Sequence, residues 1–271
     1  MKLFINKHAQ LKLGLIILLL FFQLIIISLI ELEFSIQINL NHRLEPVSPK
    51  FPLGTDDLGR DLISSVLYGV FCSLFIGISV VMSSVFIGVT LGLLAGLMGG
   101  FIDSLIMRIV DIILSFPGIL IAITLFIFVK ANFFSITCIL TFSNWVFYAR
   151  IVRGETLKYK KMDFIISAKV YNASFFRIIF FHLFPIIFPL IVIQAFLGIG
   201  EVILIESSLN FLGIGLGPEI PTLGQLIGAG RFHLFDRPHL ALVPGAVLFI
   251  LILAFNFIGE GIGSLFRNEK Q

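Results

Sequence analysis

The stretch ETLKYKKMDFIISAKVYNASFF (155–176) is basic and interrupted, in a chain of 271 residues that is 58% hydrophobic. The chain contains 31 Phe and only 13% charged residues, and its mean hydropathy is +1.08. A soluble domain of this composition would expose too much apolar surface to water, so the chain belongs in a lipid bilayer. The quoted stretch is therefore expected to lie outside the hydrocarbon and to divide the membrane-spanning part of the fold.

Long apolar runs on both sides of this stretch predict an all-α, multi-pass membrane protein. A spanning helix needs about 20 mainly apolar residues. Runs that meet this requirement predict six transmembrane helices, at 13–30, 70–98, 105–129, 133–149, 183–208 and 241–263. The chain then divides into a tail (1–12), a first helix (13–30), an outer loop (31–69), a five-helix core (70–263) that contains the loop 150–182, and a second tail (264–271). We expect 13–30 to be a retained helix rather than a signal peptide, because Glu31-Leu32-Glu33-Phe34 replaces a small-residue cleavage site.

Basic residues predict the orientation of these helices. An even number of spans puts both termini on the same side of the membrane. If that side is the cytoplasm, thirteen of the 19 Lys and Arg residues lie inside. Seven of the thirteen fall in the loop 150–182. Positive charge accumulates on the cytoplasmic side of membrane proteins, so we expect both termini and this loop to be cytoplasmic.

The loop itself is expected to be helical. Phe164, Ile165, Ala168 and Tyr171 share one face of a short helix. Asn172 tolerates the left-handed conformation that ends such a helix, and Ser174 is a candidate N-cap for a second short helix over 175–182. Composition alone leaves two interpretations open: the first helix either docks on a partner or anchors to anionic lipid headgroups.

Small and charged residues inside the spans predict packing and a transport pathway. A small residue at every fourth position allows close helix packing, within this chain or against another chain, and the stripe is Ser84, Gly88, Gly92 and Gly96. Asp103, Arg108 and Asp111 predict an ion-paired cluster at the inner end of the third span. Glu201 and Glu206 are candidates for lining a polar pathway, and Pro117 is expected to kink the third span.

Sites for catalysis or metal binding are not expected. Thr55 is a candidate N-cap, with Asp56, Asp57 and Asp61 in an outward-facing turn and helix start, where a magnesium site is disfavoured. The five histidines lack the spacing of metal ligands, and the sequence contains no catalytic motif. We therefore expect no bound metal or cofactor and no enzymatic activity on this chain.

Four stretches occur in an order that is typical of a known family: FPLGTDDLGRDLISSVLYG (51–69), GLLAGLMGGFIDSLIMRIVDIILSFPG (92–118), DFIISAKVYNASFFRIIFFHLFP (163–185) and ESSLNFLGIGLGPEIPTLGQLI (206–227). From about residue 50 onward the chain resembles the C-type permease subunits of ATP-binding-cassette importers for dipeptides, oligopeptides or nickel. The resemblance implies a type I importer fold in the bacterial inner membrane. It also implies a second permease subunit, two ATPase subunits that bind the ATP and Mg²⁺, and an extracytoplasmic binding protein that meets 31–69 and 209–240. Nucleic acid is not an expected partner.

The resemblance also implies a role for the opening stretch. In such importers this loop carries a Glu-Ala-Ala, three residues, Gly signature and docks on the ATPase as a coupling helix. Here Ile166, Ser167, Ala168 and Asn172 occupy the signature positions, so the acidic residue and the glycine are replaced. The implied coupling residues are Asp163, Phe164, Ile165, Ile166, Ser167, Ala168, Lys169, Tyr171, Asn172 and Ala173.

The nature of the cargo stays open at this point. A peptide is favoured over nickel, because peptide importers form the larger branch of the family. A secondary transporter would need inverted repeats, and none is evident. A phospholipid-precursor transferase would need an acidic metal cluster on the cytoplasmic side, whereas Asp56, Asp57 and Asp61 are expected outside.

Overall fold

The computed structural model describes residues 7–31 and 37–268. Within these ranges the regular structure is helical, apart from an isolated bridge between Thr55 and Asp61. The longer helices are α1 (Lys7–Glu31), α2 (Leu62–Met98), α3 (Gly100–Leu114), α4 (Gly118–Phe126), α5 (Phe133–Tyr159), α6 (Asp163–Val170), α7 (Phe175–Phe211), α8 (Leu223–Gly230) and α9 (His239–Asn268).

Five of these helices, α1, α2, α5, α7 and α9, are long and apolar enough to cross a membrane. The pair α3 and α4 bends by 80° at a short break and supplies a sixth span if the two are counted together. Pro117 lies at this break and directly precedes α4, so the predicted kink is present. The predicted all-α, polytopic fold is confirmed.

Several helices extend beyond the apolar runs that predicted them. Helix α2 begins at Leu62 rather than at residue 70, and α5 continues to Tyr159 rather than ending at 149. Hydrophobicity marks only the part of a helix that lies in lipid, whereas capping and packing decide where the helix ends. The polar last turns of α5 therefore project beyond the apolar core.

The start of α7 corrects the second short helix predicted over 175–182. Ser174 is the N-cap, since its hydroxyl accepts a hydrogen bond from Arg177 N at 3.3 Å, as predicted. From there the chain continues through a π-helical segment, Ile178–Leu183, directly into the rest of α7. The prediction of a separate second helix is therefore wrong, because Ile178, Ile179 and Leu183 are buried and join the span to the core.

The small-residue stripe of α2 packs against α5 of the same chain. A Cβ atom added at Gly88 would lie 2.6 Å from Tyr148 Cβ, and one added at Gly92 would lie 2.7 Å from Ala149 O. At Gly96 the neighbour is Thr156, whose Cβ would be 2.6 Å away, and Ser84 is fully buried. Among the described helices, α2 and α5 form the most extensive contact, so the small-residue stripe packs within this chain.

Contacts between the ends of the helices define the two ends of the bundle. Leu11 near the start of α1 contacts Gly261 near the end of α9. Gly200 of α7 lies beside Ile252 of α9, and Gly259 lies beside Leu197, so α7 and α9 run antiparallel. The start of α1, the end of α9 and the start of α7 therefore lie at the same end, as the six-span topology requires.

The opposite end is formed by 37–61 and by the segments around α8. Arg60 donates from Nη1 to Pro218 O at 3.0 Å, and Arg237 donates to Leu44 O. The Arg60 side chain is 2% exposed and is ion-paired with Asp56 at 2.7 Å. These bonds fix the segment before α2 onto the loops that follow α7 and α8.

The N-cap of α2 is Asp61 rather than the predicted Thr55. Asp61 Oδ2 accepts from Ser64 N at 2.8 Å, which satisfies a free donor of the first turn. Thr55 instead lies in the preceding turn, where its hydroxyl donates to His42 O at 2.5 Å and accepts from Glu45 N at 2.7 Å. The turn that begins with FPLGTDD therefore extends further along the chain than the sequence predicts, and α2 begins only at Leu62.

Candidate functional site

The candidate functional site is α6 with the turns that flank it. A link of three residues, Lys160 to Met162, joins α5 to α6. Met162 N donates to Tyr159 O at 3.0 Å, and Met162 O accepts from Ile165 N and Ile166 N at 3.0 and 3.1 Å. The link is therefore hydrogen-bonded at both of its ends, and it holds α6 in a defined orientation to α5.

The C-terminal end of α6 is followed by the left-handed residue that the sequence predicts. Asn172 has a φ of 54°, the left-handed conformation that asparagine tolerates better than most residues. Tyr171 N donates to Ser167 O at 3.0 Å, and Ala173 N donates to Ala168 O at 2.9 Å. The replacement of the signature glycine by Asn172 thus preserves the turn that ends this helix.

One side of α6 is fixed to the bundle by Ile165, which is fully buried. Ile165 belongs to an apolar cluster that also contains Leu93 of α2, Tyr159 of α5 and Leu183 of α7. Complete burial of an isoleucine side chain stabilises such a contact by about 1.5–3 kcal/mol. Helix α6 is therefore joined to an apolar cluster to which α2, α5 and α7 also contribute.

A second side of α6, about 100° around the helix from Ile165, carries exposed apolar side chains. Met162, Ile166 and Val170 follow each other at four-residue intervals, and they are 39%, 48% and 73% exposed. Tyr171, in the turn beyond the helix, is 86% exposed. We call Met162, Ile166, Val170 and Tyr171 the apolar stripe of α6. No element within the described residues covers it.

The exposed apolar residues of α6 differ from those that the sequence pattern placed on one face. The sequence pattern predicts one face with Phe164, Ile165, Ala168 and Tyr171, but Ile165 is buried in the bundle, and Tyr171 lies after the end of the helix. Met162 and Val170 were missed, although their spacing from Ile166 was visible in the sequence. Which side of a short helix faces inward depends on its neighbours, and the sequence does not fix this orientation.

The other predicted coupling residues surround the apolar stripe. Asp163 and Ser167 are exposed, and Ala173 is half-buried, as is Ala168. Phe164 is 40% exposed. Lys169 belongs to α6, but its side chain lies outside the described residues.

The three pathway candidates occupy different environments. Glu201 is exposed on α7, and Pro117 lies at the α3–α4 bend. Glu206 is only 1% exposed, and it accepts hydrogen bonds from Ser73 at 3.0 Å and from Asn210 at 2.5 Å. Asn210 Oδ1 in turn accepts from Leu216 N at 2.9 Å. Glu206 therefore joins α7 to α2 and to the following loop, and its place in the lining of a pathway stays a prediction.

The charged cluster of α3 is paired differently from the prediction. Asp103 accepts two hydrogen bonds from Arg153, from Nε at 2.5 Å and from Nη2 at 2.7 Å, and Asp111 accepts one from Arg150 at 2.8 Å. Both partners lie on α5, so the expected pairing of Arg108 with Asp111 along α3 is replaced by pairing between helices. Sequence spacing reveals neighbours within a helix only.

This architecture, several apolar helices with a short helix exposed between two of them, is that of a multi-pass membrane protein. Residues 88–268 match the family described as binding-protein-dependent transport system inner membrane component. The chain belongs to this family, and the resemblance inferred from the sequence is confirmed.

Individual relatives are similar over most of their length. The dipeptide transport system permease protein DppC of Alkalihalophilus pseudofirmus is 34% identical over 259 residues, which cover 95% of this chain and 85% of the relative. DppC of Haemophilus influenzae is 34% identical over 215 residues, 79% of this chain and 73% of the relative. The glutathione transport system permease protein GsiD of Salmonella typhimurium is 40% identical over 209 residues, 77% and 69% of the two chains. These relatives are transport permeases, not enzymes.

Proposed function

We propose that this chain is a permease subunit of an ATP-driven, binding-protein-dependent importer for di- or oligopeptides in a bacterial inner membrane. It pairs with a second permease subunit to form the translocation pathway. Two ATPase subunits bind the nucleotide and Mg²⁺ on the cytoplasmic side, and an extracytoplasmic binding protein delivers the cargo. Membership of the family and the names of the relatives support this assignment.

The apolar stripe of α6 is the single observation that carries the docking part of the proposal. Exposed apolar side chains in a row, outside the apolar spans, are typical of a helix that lies in a groove of a partner. Ile166 stands where the family signature has an acidic residue, and it extends the apolar stripe instead of offering a charge. The groove of the cognate ATPase is therefore expected to be apolar at this point.

The attachment of α6 to the bundle suggests how movement of the ATPases reaches the membrane-spanning helices. Ile165 is buried in an apolar cluster to which α2, α5 and α7 contribute, while the exposed apolar stripe engages the ATPase. When two ATPases close around ATP, each groove displaces the helix seated in it, and the attached spans follow as packed units. The exposed Glu201 and the α3–α4 bend at Pro117 are our candidates for the wall of the pathway.

The nature of the cargo follows from the relatives. Dipeptides and glutathione are small peptides. The permeases named for their transport, DppC and GsiD, are similar to this chain over most of their length. They favour a peptide over nickel. Membership of a binding-protein-dependent family disfavours a secondary transporter, because such a carrier works without a binding protein or an ATPase.

Co-expression with ATPase, permease and binding-protein subunits from the same organism tests the proposal. We expect this chain to purify with two ATPase chains and one second permease, and vesicles containing the complex to import a labelled dipeptide only with ATP and the binding protein. Radioactive nickel serves as the competing cargo. Import of nickel in place of peptide would reject the cargo, and import by the isolated chain without ATP would reject the whole assignment.

A further inference from the structure

Two arginines of α5 and the lysine that directly follows it, Lys160, reach across to neighbouring helices at the end of the bundle that carries α6. Arg150 and Arg153 bind Asp111 and Asp103 of α3, as described above. Lys160 donates from Nζ to two backbone oxygens, Leu97 O at 2.5 Å and Gly96 O at 3.2 Å. The positive charges of these three side chains are thus engaged in contacts between helices.

The Lys160 contact is directed at the end of α2. The last carbonyl groups of a helix have no partner within the helix, and they form the negative end of its dipole. An ammonium group placed there satisfies these acceptors and meets a favourable potential. Lys160 is half-buried, so the contact is partly shielded from water.

The Asp103–Arg153 pair is the second strong contact in this region. The two-point geometry between a guanidinium and a carboxylate holds both groups in direction as well as in distance. The side chain of Asp103 is 17% exposed and that of Arg153 is 32% exposed. Asp103 lies in the first turn of α3, just after Gly99, the residue that separates α3 from α2. Both contacts therefore converge on the α2–α3 junction.

The position of Lys160 in the chain connects this junction to the docking element. Lys160 is the first residue of the link between α5 and α6. A displacement of α6 acts first on this link, and through Lys160 it acts on the end of α2. Helix α3 starts there and leads to the bend at Pro117.

We propose that Lys160 and the Asp103–Arg153 pair form a latch that passes the movement of α6 to the α2–α3 junction. This inference rests on the proposed function. The three side chains are positioning residues: they touch neither cargo nor nucleotide, and they determine how much of each ATPase movement reaches α3 and α4.

Lys161 provides a matched control for Lys160. It is the next residue along the chain and carries the same charge, but it is exposed and makes no hydrogen bond or ion pair with any part of the chain that the structure describes. If the basic residues served only to orient the protein in the membrane, the two lysines would be equivalent. The latch requires Lys160 and does not require Lys161.

The test uses the complete complex, with its ATPases, second permease and binding protein, in proteoliposomes. Lys160→Met removes the donors and keeps the apolar stem. We expect this variant to assemble and to hydrolyse ATP, while the amount of dipeptide imported per ATP falls about fivefold, the scale of effect seen when one contact in a coupling network is lost. Lys160→Arg keeps donors in place and should preserve the ratio, as should Lys161→Met.

A charge exchange tests the ion pair separately. Asp103→Arg alone and Arg153→Asp alone should each lower the ratio of import to hydrolysis, and the double variant should restore it in part, because the pair is re-formed in reverse. An unchanged ratio in Lys160→Met, or a ratio that stays constant while assembly declines, would show that the contacts are merely structural and would overturn the latch. If the proposed function itself were wrong, the wild-type chain would recruit no ATPase. This result differs from a failure of the latch, in which the complex assembles and the ratio stays unchanged.

Discussion

Two adjacent residues of α6, Ile165 and Ile166, have opposite surroundings although their side chains are identical. Ile165 is fully buried, whereas Ile166 is 48% exposed. The first is packed into the bundle, and the second presents an exposed apolar surface, which we propose binds the ATPase. A substitution at Ile165 would therefore disturb the fold, and only substitutions on the apolar stripe report on docking.

Val170 is the best position for such a substitution, because it is 73% exposed and lies at the end of α6. Val170→Asp places a charge against the apolar groove of the ATPase, and transfer of an unpaired charge out of water is costly. We expect about tenfold weaker association with the ATPase, equivalent to about 1.4 kcal/mol. Titration of detergent-solubilised permease with the purified ATPase measures this change.

Val170→Thr is the control for this prediction, since it keeps the shape of the side chain without a charge. It should bind the ATPase nearly as well as the wild type. Equal affinity for Val170→Asp and Val170→Thr would show that the apolar stripe of α6 is not the docking surface.

At the scale of helices, the α2–α5 contact depends on residues that lack side chains. An added Cβ at Gly92 would lie 2.7 Å from Ala149 O and 2.9 Å from Val152 Cβ. Gly92→Ala forces the two helices apart, and overpacking of this kind costs about 1–3 kcal/mol. We expect a lower apparent melting temperature in detergent, measured by the intrinsic fluorescence of Trp145 on α5.

Gly154 offers the matched comparison, because it lies on α5 with no atom within 4 Å of an added Cβ. Gly154→Ala should leave the melting temperature unchanged or raise it, since alanine favours a helix by about 1 kcal/mol over glycine. Equal destabilisation by both substitutions would mean that loss of glycine flexibility, and not contact between α2 and α5, is responsible.

Local signals predicted local features of these helices well. Pro117 predicted the α3–α4 bend, because proline cannot donate a backbone hydrogen bond within a helix. Asn172 and Ser174 predicted the end of α6 and the start of α7, since their short polar side chains favour the ends of helices. These effects operate between residues that are close in the chain.

Contacts between distant residues were not predictable in the same way. Arg153 and Asp103 are 50 positions apart, and Glu206 and Ser73 are 133 positions apart, so no periodicity joins them. The inward orientation of Ile165 also depends on Leu183 and Leu93, which other helices supply. Sequence patterns showed which residues were unusual, and packing decided what each of them contacts.

At the scale of the whole molecule, the orientation in the membrane remains a prediction. The positive-inside rule places α6 in the cytoplasm and the segment 37–61 outside. Lys161→Cys and Lys50→Cys, made in a chain whose Cys72 and Cys138 are replaced, place one thiol at each end. A membrane-impermeant maleimide added to intact spheroplasts should label Lys50→Cys and spare Lys161→Cys.

Inverted vesicles supply the control, because their cytoplasmic face points outward and the labelling pattern should be reversed. Labelling of Lys161→Cys in intact spheroplasts would place α6 on the wrong side of the membrane for any ATPase. It would also remove the basis of both proposals.

The exposed face of α6 has a consequence for the life of the protein in the cell. A copy made in excess of its partners displays Met162, Ile166, Val170 and Tyr171 to water, and such surfaces attract chaperones and housekeeping proteases. Surplus subunits should consequently be degraded, and the cell would keep its stock matched to the supply of ATPase through turnover rather than through synthesis alone.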